Sequence, residues 1–202
     1  MGNVARILLL LLLVSSAAHA APIPLIKVAR PQGLYTSTTP DRTLFRHVRR
    51  ALKPVRIRLQ RVKNDAIATE NITMEQYYTE AYQWQDIAKN RGWTLNSRSH
   101  VVLPPIVHNG DIYVGGVGYV CNDFSVSYQT DYDENGQGRR SHSVCAMAHE
   151  IGHSLGARHT DREPNLMRST ALSDVGSDIG SCWLGLLPES VKQIKACARK
   201  AL

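Results

Sequence analysis

Residues 149–161 read HEIGHSLGARHTD, which sets three histidines and a glutamate within eleven positions and breaks them with two glycines. The apolar residues around them constrain the local fold. Val144, Ala148, Ile151 and Leu155 recur at spacings of four, three and four, the stripe of a helix over 143–156 with one buried face. On such a helix His149 and His153 project from a neighbouring face one turn apart, so both rings reach a single ion. Glu150, one residue further round, is poorly placed as a ligand and well placed to hold a water on that ion. Gly156 can take positive φ, end the helix and reverse the chain, which returns His159 to the same ion. Three neutral imidazoles with an open fourth position describe a catalytic zinc site rather than a structural one. Cys145 shares the histidine face but lies eight residues from His153, about 12 Å along the axis, too far for both to hold one ion. It reads as a disulfide partner.

The chain opens with Arg6, an apolar run from Ile7 to Val14, and small residues ending Ala18-His19-Ala20. That is the plan of a secretory signal peptide over 1–20, cut after Ala20. The run is far short of the roughly 20 residues a membrane span needs. Arg6 also stands where myristoylation of Gly2 requires Ser or Thr. The expectation is a secreted protein, extracellular or periplasmic, that does not span a membrane. Four cysteines remain, Cys121, Cys145, Cys182 and Cys197. In an exported chain they read as two disulfides, with three connectivities open.

Charge is lopsided. Residues 21–63 carry eleven Lys or Arg against the single acid Asp41, and the net +7 of the chain comes from this third. Such a face can meet an anionic surface or glycan. No aromatic residue interleaves with the arginines of VRIRLQRV to stack on bases, which argues against nucleic acid.

Along the chain, residues 21–42 read as an N-terminal extension with a short strand at LIKVA. A helix is expected over 43–52 and a strand over 54–62, with Val55, Ile57 and Leu59 on one side. A second helix is expected to start at Thr73, where Thr73 and Gln76 form a capping box, and to carry Tyr77, Ala81, Trp84 and Ala88 on one stripe. Three β-type runs follow (HVVLPPIV, DIYVGGVGYVC and FSVSYQT), then the histidine helix, loop-like sequence, and a C-terminal helix from about Pro188. Asn71-Ile72-Thr73 is a glycosylation sequon. No internal repeat or linker divides this order, which is that of one α/β domain.

The pattern His149-Glu150-x-x-His153-x-x-Gly156-x-x-His159 resembles the metzincin zinc signature of astacins, matrixins, serralysins and reprolysins. AYQWQDIAKNRGW followed by β-type runs and GVGYVC is most similar to the reprolysin (adamalysin) branch. The resemblance implies an α/β fold in a single metzincin-type domain over 43–202. It would have a twisted mixed β-sheet, an active-site helix, and an irregular C-terminal subdomain ending in a helix. It implies Met167, in PNLM, as the Met-turn beneath the metal. It also implies Gly116, Val117 and Gly118 as an edge strand that pairs with substrate, although close backbone packing explains those glycines equally well. A bridge from Cys121 to Cys197 is implied too, leaving Cys145 with Cys182. The sequence departs from the reprolysin pattern at Thr160, which intervenes before Asp161. The eight-residue step from His159 to Met167 is closer to matrixins.

The activity so implied is that of a monomeric zinc endopeptidase acting on protein or peptide substrates. One catalytic Zn2+ on His149, His153 and His159 would activate a water, with Glu150 as general base. The alternative is a basic protein that binds polyanions and keeps a zinc-stabilised metzincin fold without turnover.

Overall fold

The computed structural model describes residues 23–30, 41–64, 72–104, 106–108, 111–113, 115–128, 140–160, 162, 165–168 and 185–200. Five strands form the main sheet: β1 (Leu25–Ala29), β2 (Arg58–Arg61), β4 (Arg98–Leu103), β7 (Gly115–Gly118) and β8 (Phe124–Tyr128). Their order is β2-β1-β4-β8-β7. The first four in that order run parallel, and β7 lies antiparallel to β8 at the edge. The sheet is therefore mixed, as expected. A smaller sheet joins β3 (Ile72–Thr73) to a hairpin of β5 (Ile106–His108) and β6 (Asp111–Tyr113).

Inner parallel strands are buried on both faces, and every residue of β8 is buried. One face packs under helix α2 (Tyr77–Asn90), where Ala81, Trp84 and Ala88 meet Val101, Leu103, Phe124 and Val126. The other packs under α1 (Asp41–Ala51) and α3 (Arg140–Leu155), where Leu44, Val48, Val144, Ala148, Ile151 and Leu155 meet Ile26, Val28 and Val102. Helix α4 (Pro188–Lys200) adds Ile194 to the second core, with Pro188 opening it at the position where a missing N–H costs least.

Several expectations are sharpened. LIKVA forms β1 as read, but it is hydrogen-bonded between β2 and β4 and so belongs to the sheet. The strand expected over 54–62 is shorter, because pairing with β1 begins at Leu25↔Arg58 and nothing in β1 faces residues 54–57. Both bonds of the Thr73/Gln76 capping box are present, Thr73 N–H to Gln76 Oε1 at 3.1 Å and Gln76 N–H to Thr73 Oγ1 at 3.4 Å. They close a turn, and the helix itself starts at Tyr77. Asn71, Asp161, Cys182 and the leader at 1–20 lie outside the described residues.

The face of the sheet toward α3 carries a polar knot. His100 is fully buried, with Nδ1 2.8 Å from Ser125 Oγ and Nε2 2.9 Å from Ser127 Oγ. Burial holds its pKa down at about 3, whereas a free imidazole titrates near 6.5. Between those values the unfolded chain binds a proton that the folded chain refuses. Stability from this group is therefore full above pH 6.5 and falls as pH drops toward 3, by up to about 1.4 kcal/mol per unit. Urea unfolding of the native protein at pH 7 and 4.5 is expected to show a larger loss than the same experiment on His100→Gln. Equal losses would mean that His100 does not carry this linkage.

Candidate metal centre

Helix α3 buries Val144, Ala148, Ile151 and Leu155 as the spacing requires, which leaves His149, Glu150 and His153 at the sheet edge, each 5–6 % exposed. The helix ends in a Schellman motif. Ala157 N–H donates to Gly152 O at 2.9 Å, and Gly156 N–H donates to His153 O at 2.8 Å. Gly156 has φ of +119°, and a Cβ there would stand 2.5 Å from Cys197 Cβ. Only glycine satisfies both the turn and the approach. The reversal brings His159 back over the helix.

The three Nε2 atoms converge: His149 to His153 at 3.1 Å, His149 to His159 at 3.1 Å, and His153 to His159 at 3.0 Å. Two of the rings have their far nitrogens committed, His149 Nδ1 to Leu166 O at 2.6 Å and His153 Nδ1 to Ala157 O at 2.8 Å. A carbonyl oxygen only accepts, so each Nδ1 carries the proton and each Nε2 presents a lone pair. Burial, with the neighbouring His153 second, lowers His149 to about 3, and burial likewise lowers His153. Lone pairs facing one another at 3 Å repel unless a cation lies among them. Nitrogen ligands at about 2.0–2.1 Å around tetrahedral zinc stand about 3.3 Å apart, so the trio fits that ion to within a few tenths of an ångström. It is the one such cluster among the described residues.

Met167 is fully buried. Its Sδ lies where a Cβ on Gly152 would come within 2.7 Å, so the methionine packs against the helix backbone between the two histidine turns. The segment around it does more than pack. Leu166 supplies the carbonyl that orients His149, Thr160 N–H donates to Met167 O at 3.0 Å, and Asn165 Oδ1 accepts from Met167 N–H at 2.7 Å. The 165–168 turn thereby ties His149 to the strand of chain that carries His159.

Glu150 is not one of the converging ligands and packs against β7. A Cβ on Gly116 would fall 2.7 Å from Glu150 Cδ and 2.5 Å from Val126 O. A Cβ on Gly118 would fall 2.7 Å from Glu150 O and 2.9 Å from Glu150 Oε2. Close packing therefore accounts for both glycines. Tyr77 Oη donates to Gly116 O, so that carbonyl already has a partner. Gly116→Ala is expected to destabilise the fold by about 1–3 kcal/mol, as overpacking does, and to displace Glu150 with loss of peptide cleavage. Thermal unfolding and a peptide assay check this; a variant with native stability and rate would mean that the wall yields freely.

Residues 46–160 match the metallo-peptidase family M12B, reprolysin-like. The chain belongs to the reprolysin-like metallopeptidases. No curated protein matches its sequence. Solved structures with the same fold include a zinc-dependent peptidase from Methanocorpusculum labreanum, 13 % identical with a TM-score of 0.53, covering 84 % of this chain and 99 % of that one. Archaemetzincin from Methanopyrus kandleri is 17 % identical with a TM-score of 0.51, covering 91 % and 99 %. Metalloproteinase-II from Bacteroides fragilis is 14 % identical with a TM-score of 0.57, covering 88 % of this chain and 53 % of that one, about half its length. At such identities these neighbours establish the metzincin-like fold.

In this reprolysin-like metallopeptidase Cys121 and Cys197 are bridged, as the resemblance implies. Cys145 is disulfide-bonded as well, and no thiol among the described residues is free; its expected partner Cys182 lies outside the described residues. The two supporting carbonyls, the Asn165 bracket and Tyr77 escaped sequence reasoning. A backbone oxygen has no side-chain signature, and Tyr77 is marked only by its place in a core stripe.

Proposed function

We propose that this metallopeptidase is an exported zinc endopeptidase. The observation that carries the reading is the convergence of three Nε2 lone pairs beside a buried carboxylate. His149, His153 and His159 hold the ion. Zinc there would supply the Lewis acid that activates water, and its charge would offset the burial that alone pushes Glu150 up to about 8. Glu150 accepts a proton from the attacking water and delivers it to the leaving amine. An extended peptide is bound as an added strand on the open side of β7, chiefly along Val117 and Gly118, since Gly116 O is engaged by Tyr77. The leader pattern over 1–20 and the oxidised cysteines support export. No described helix is long and apolar enough to cross a membrane. The catalytic domain takes in β1 along with residues 43–202.

Metal analysis paired with cleavage of a mixed peptide library tests the reading. Zinc in the purified oxidised protein, with internal cleavage abolished by a chelator and restored by zinc, is the expected result. Zinc without cleavage across a broad library would sink it.

The basic face supports a second reading, that of a polyanion-binding protein on the same fold without turnover. Arg42, Arg46, Arg49, Arg50, Lys53, Arg56, Arg58, Arg61 and Lys63 are all exposed along α1 and β2, the sheet edge opposite β7. The placement of Glu150 opposes it, and the same face serves equally to hold a peptidase on an anionic surface. Salt-sensitive polyanion binding by a protein that cleaves nothing would favour it.

A further inference from the structure

Beside the edge strand β7 lie three exposed tyrosines that the hydrolytic machinery leaves unused. Tyr78 and Tyr82 lie one turn apart on α2, and Tyr119 follows β7 directly. Tyr82 and Tyr119 stack with ring centroids 6.5 Å apart and planes inclined by 22°, and their hydroxyls meet at 2.7 Å. Tyr78 packs edge-on against Tyr77 at 4.8 Å, and Tyr77 in turn donates to Gly116. The cluster is thus fastened to the edge strand at both ends, by the chain at Tyr119 and by the Tyr77 hydroxyl at Gly116. Yet the three rings are 59 %, 51 % and 39 % exposed, with Val120 beside them at 41 %. Isolated apolar residues on a surface need no explanation, but a contiguous aromatic group bordering an active site does.

Strand geometry says what such a group would meet. Gly116 and Gly118 face Glu150, whereas Val117 packs into the core under α2, so Tyr119 has the parity of the α2 side. A peptide added along β7 alternates in the same way. Side chains on one parity turn toward the histidines, and those on the other turn toward the tyrosines. Tyr78, Tyr82, Tyr119 and Val120 carry no charge, so the surface offers ring faces and no counter-ion.

Building on the peptidase reading, we infer that Tyr78, Tyr82 and Tyr119 form a subsite that selects peptides with an aromatic side chain on the α2 side of the bound strand. Ring stacking against two or three tyrosines is worth about tenfold in preference.

The test compares peptides that differ only by Phe or Ala at each position within four residues of the cleaved bond. One position is expected to show a Phe-over-Ala ratio of kcat/KM that falls about tenfold in the zinc-loaded Tyr82→Ser/Tyr119→Ser protein. Tyr78→Ser reads the same ratio without touching the hydroxyl pair, in case the double variant does not fold. A ratio unchanged in both overturns the subsite, because a purely structural role slows Phe and Ala peptides alike. Fluorescence anisotropy with the labelled Phe peptide, on Glu150→Ala protein with and without the tyrosine changes, separates the two inferences. Binding lost with the tyrosines upholds the subsite even if the native chain cleaves nothing and the peptidase reading falls. Equal binding, or none, overturns it.

Discussion

Glu150→Gln is expected to lower kcat/KM by about 10²- to 10⁴-fold, the range contributed by a positioned general base, while zinc content measured on the same samples stays at the native level. The geometry separates the two outcomes. The three Nε2 atoms meet one another without the carboxylate, and the two helix-borne rings are oriented from elsewhere, by Leu166 O for His149 and Ala157 O for His153. Glutamine keeps the volume that fills the space beside Gly116 and Gly118, so the wall between α3 and β7 stands. What the amide loses is the capacity to take a proton. A glutamine variant retaining more than a tenth of native activity would place the base on another group. A variant that loses zinc with its activity would make Glu150 part of the metal's support.

The parts of this centre that were legible in the sequence are those set by local geometry. Helical periodicity alone places His149 and His153 on one face, and positive φ at Gly156 is the condition for His159 to return. The apolar stripe of α3 and the start of α4 at Pro188 follow from the same kind of spacing. What was not legible depends on residues distant in the chain. LIKVA reads as a strand, but nothing in it says that β2 and β4 lie on either side, because parallel partners are joined by long crossovers. GGVG is a poor strand by propensity, and its glycines make sense only once Glu150 is seen against them. The family likeness implied an edge strand there. The structure adds that Tyr77 occupies one of its carbonyls and that the glycines have a packing cause of their own.

Removing the Cys121–Cys197 bridge, as Cys121→Ser/Cys197→Ala, is expected to cost about 4–5 kcal/mol of stability by the loop-entropy relation for a sequence separation of 76. That is a large share of the 5–15 kcal/mol a domain of this size has. The loss should also reach the metal, because the bridge clamps the end of the histidine helix. Cys121 N–H donates to His153 O at 3.0 Å, Cys197 fills the space beside Gly156, and Arg98, reaching past Cys197 Sγ, donates through Nε to Ser154 O at 2.9 Å. With the clamp gone, the turn after Leu155 is free to open, and it holds both Ala157 O, which orients His153, and the path to His159. Zinc affinity, measured by competition with a chromophoric chelator, is therefore expected to fall alongside the urea midpoint. A variant that loses the predicted stability but holds zinc as tightly as the native protein would show that the Schellman turn and the 165–168 bracket fix the histidines without help from the bridge.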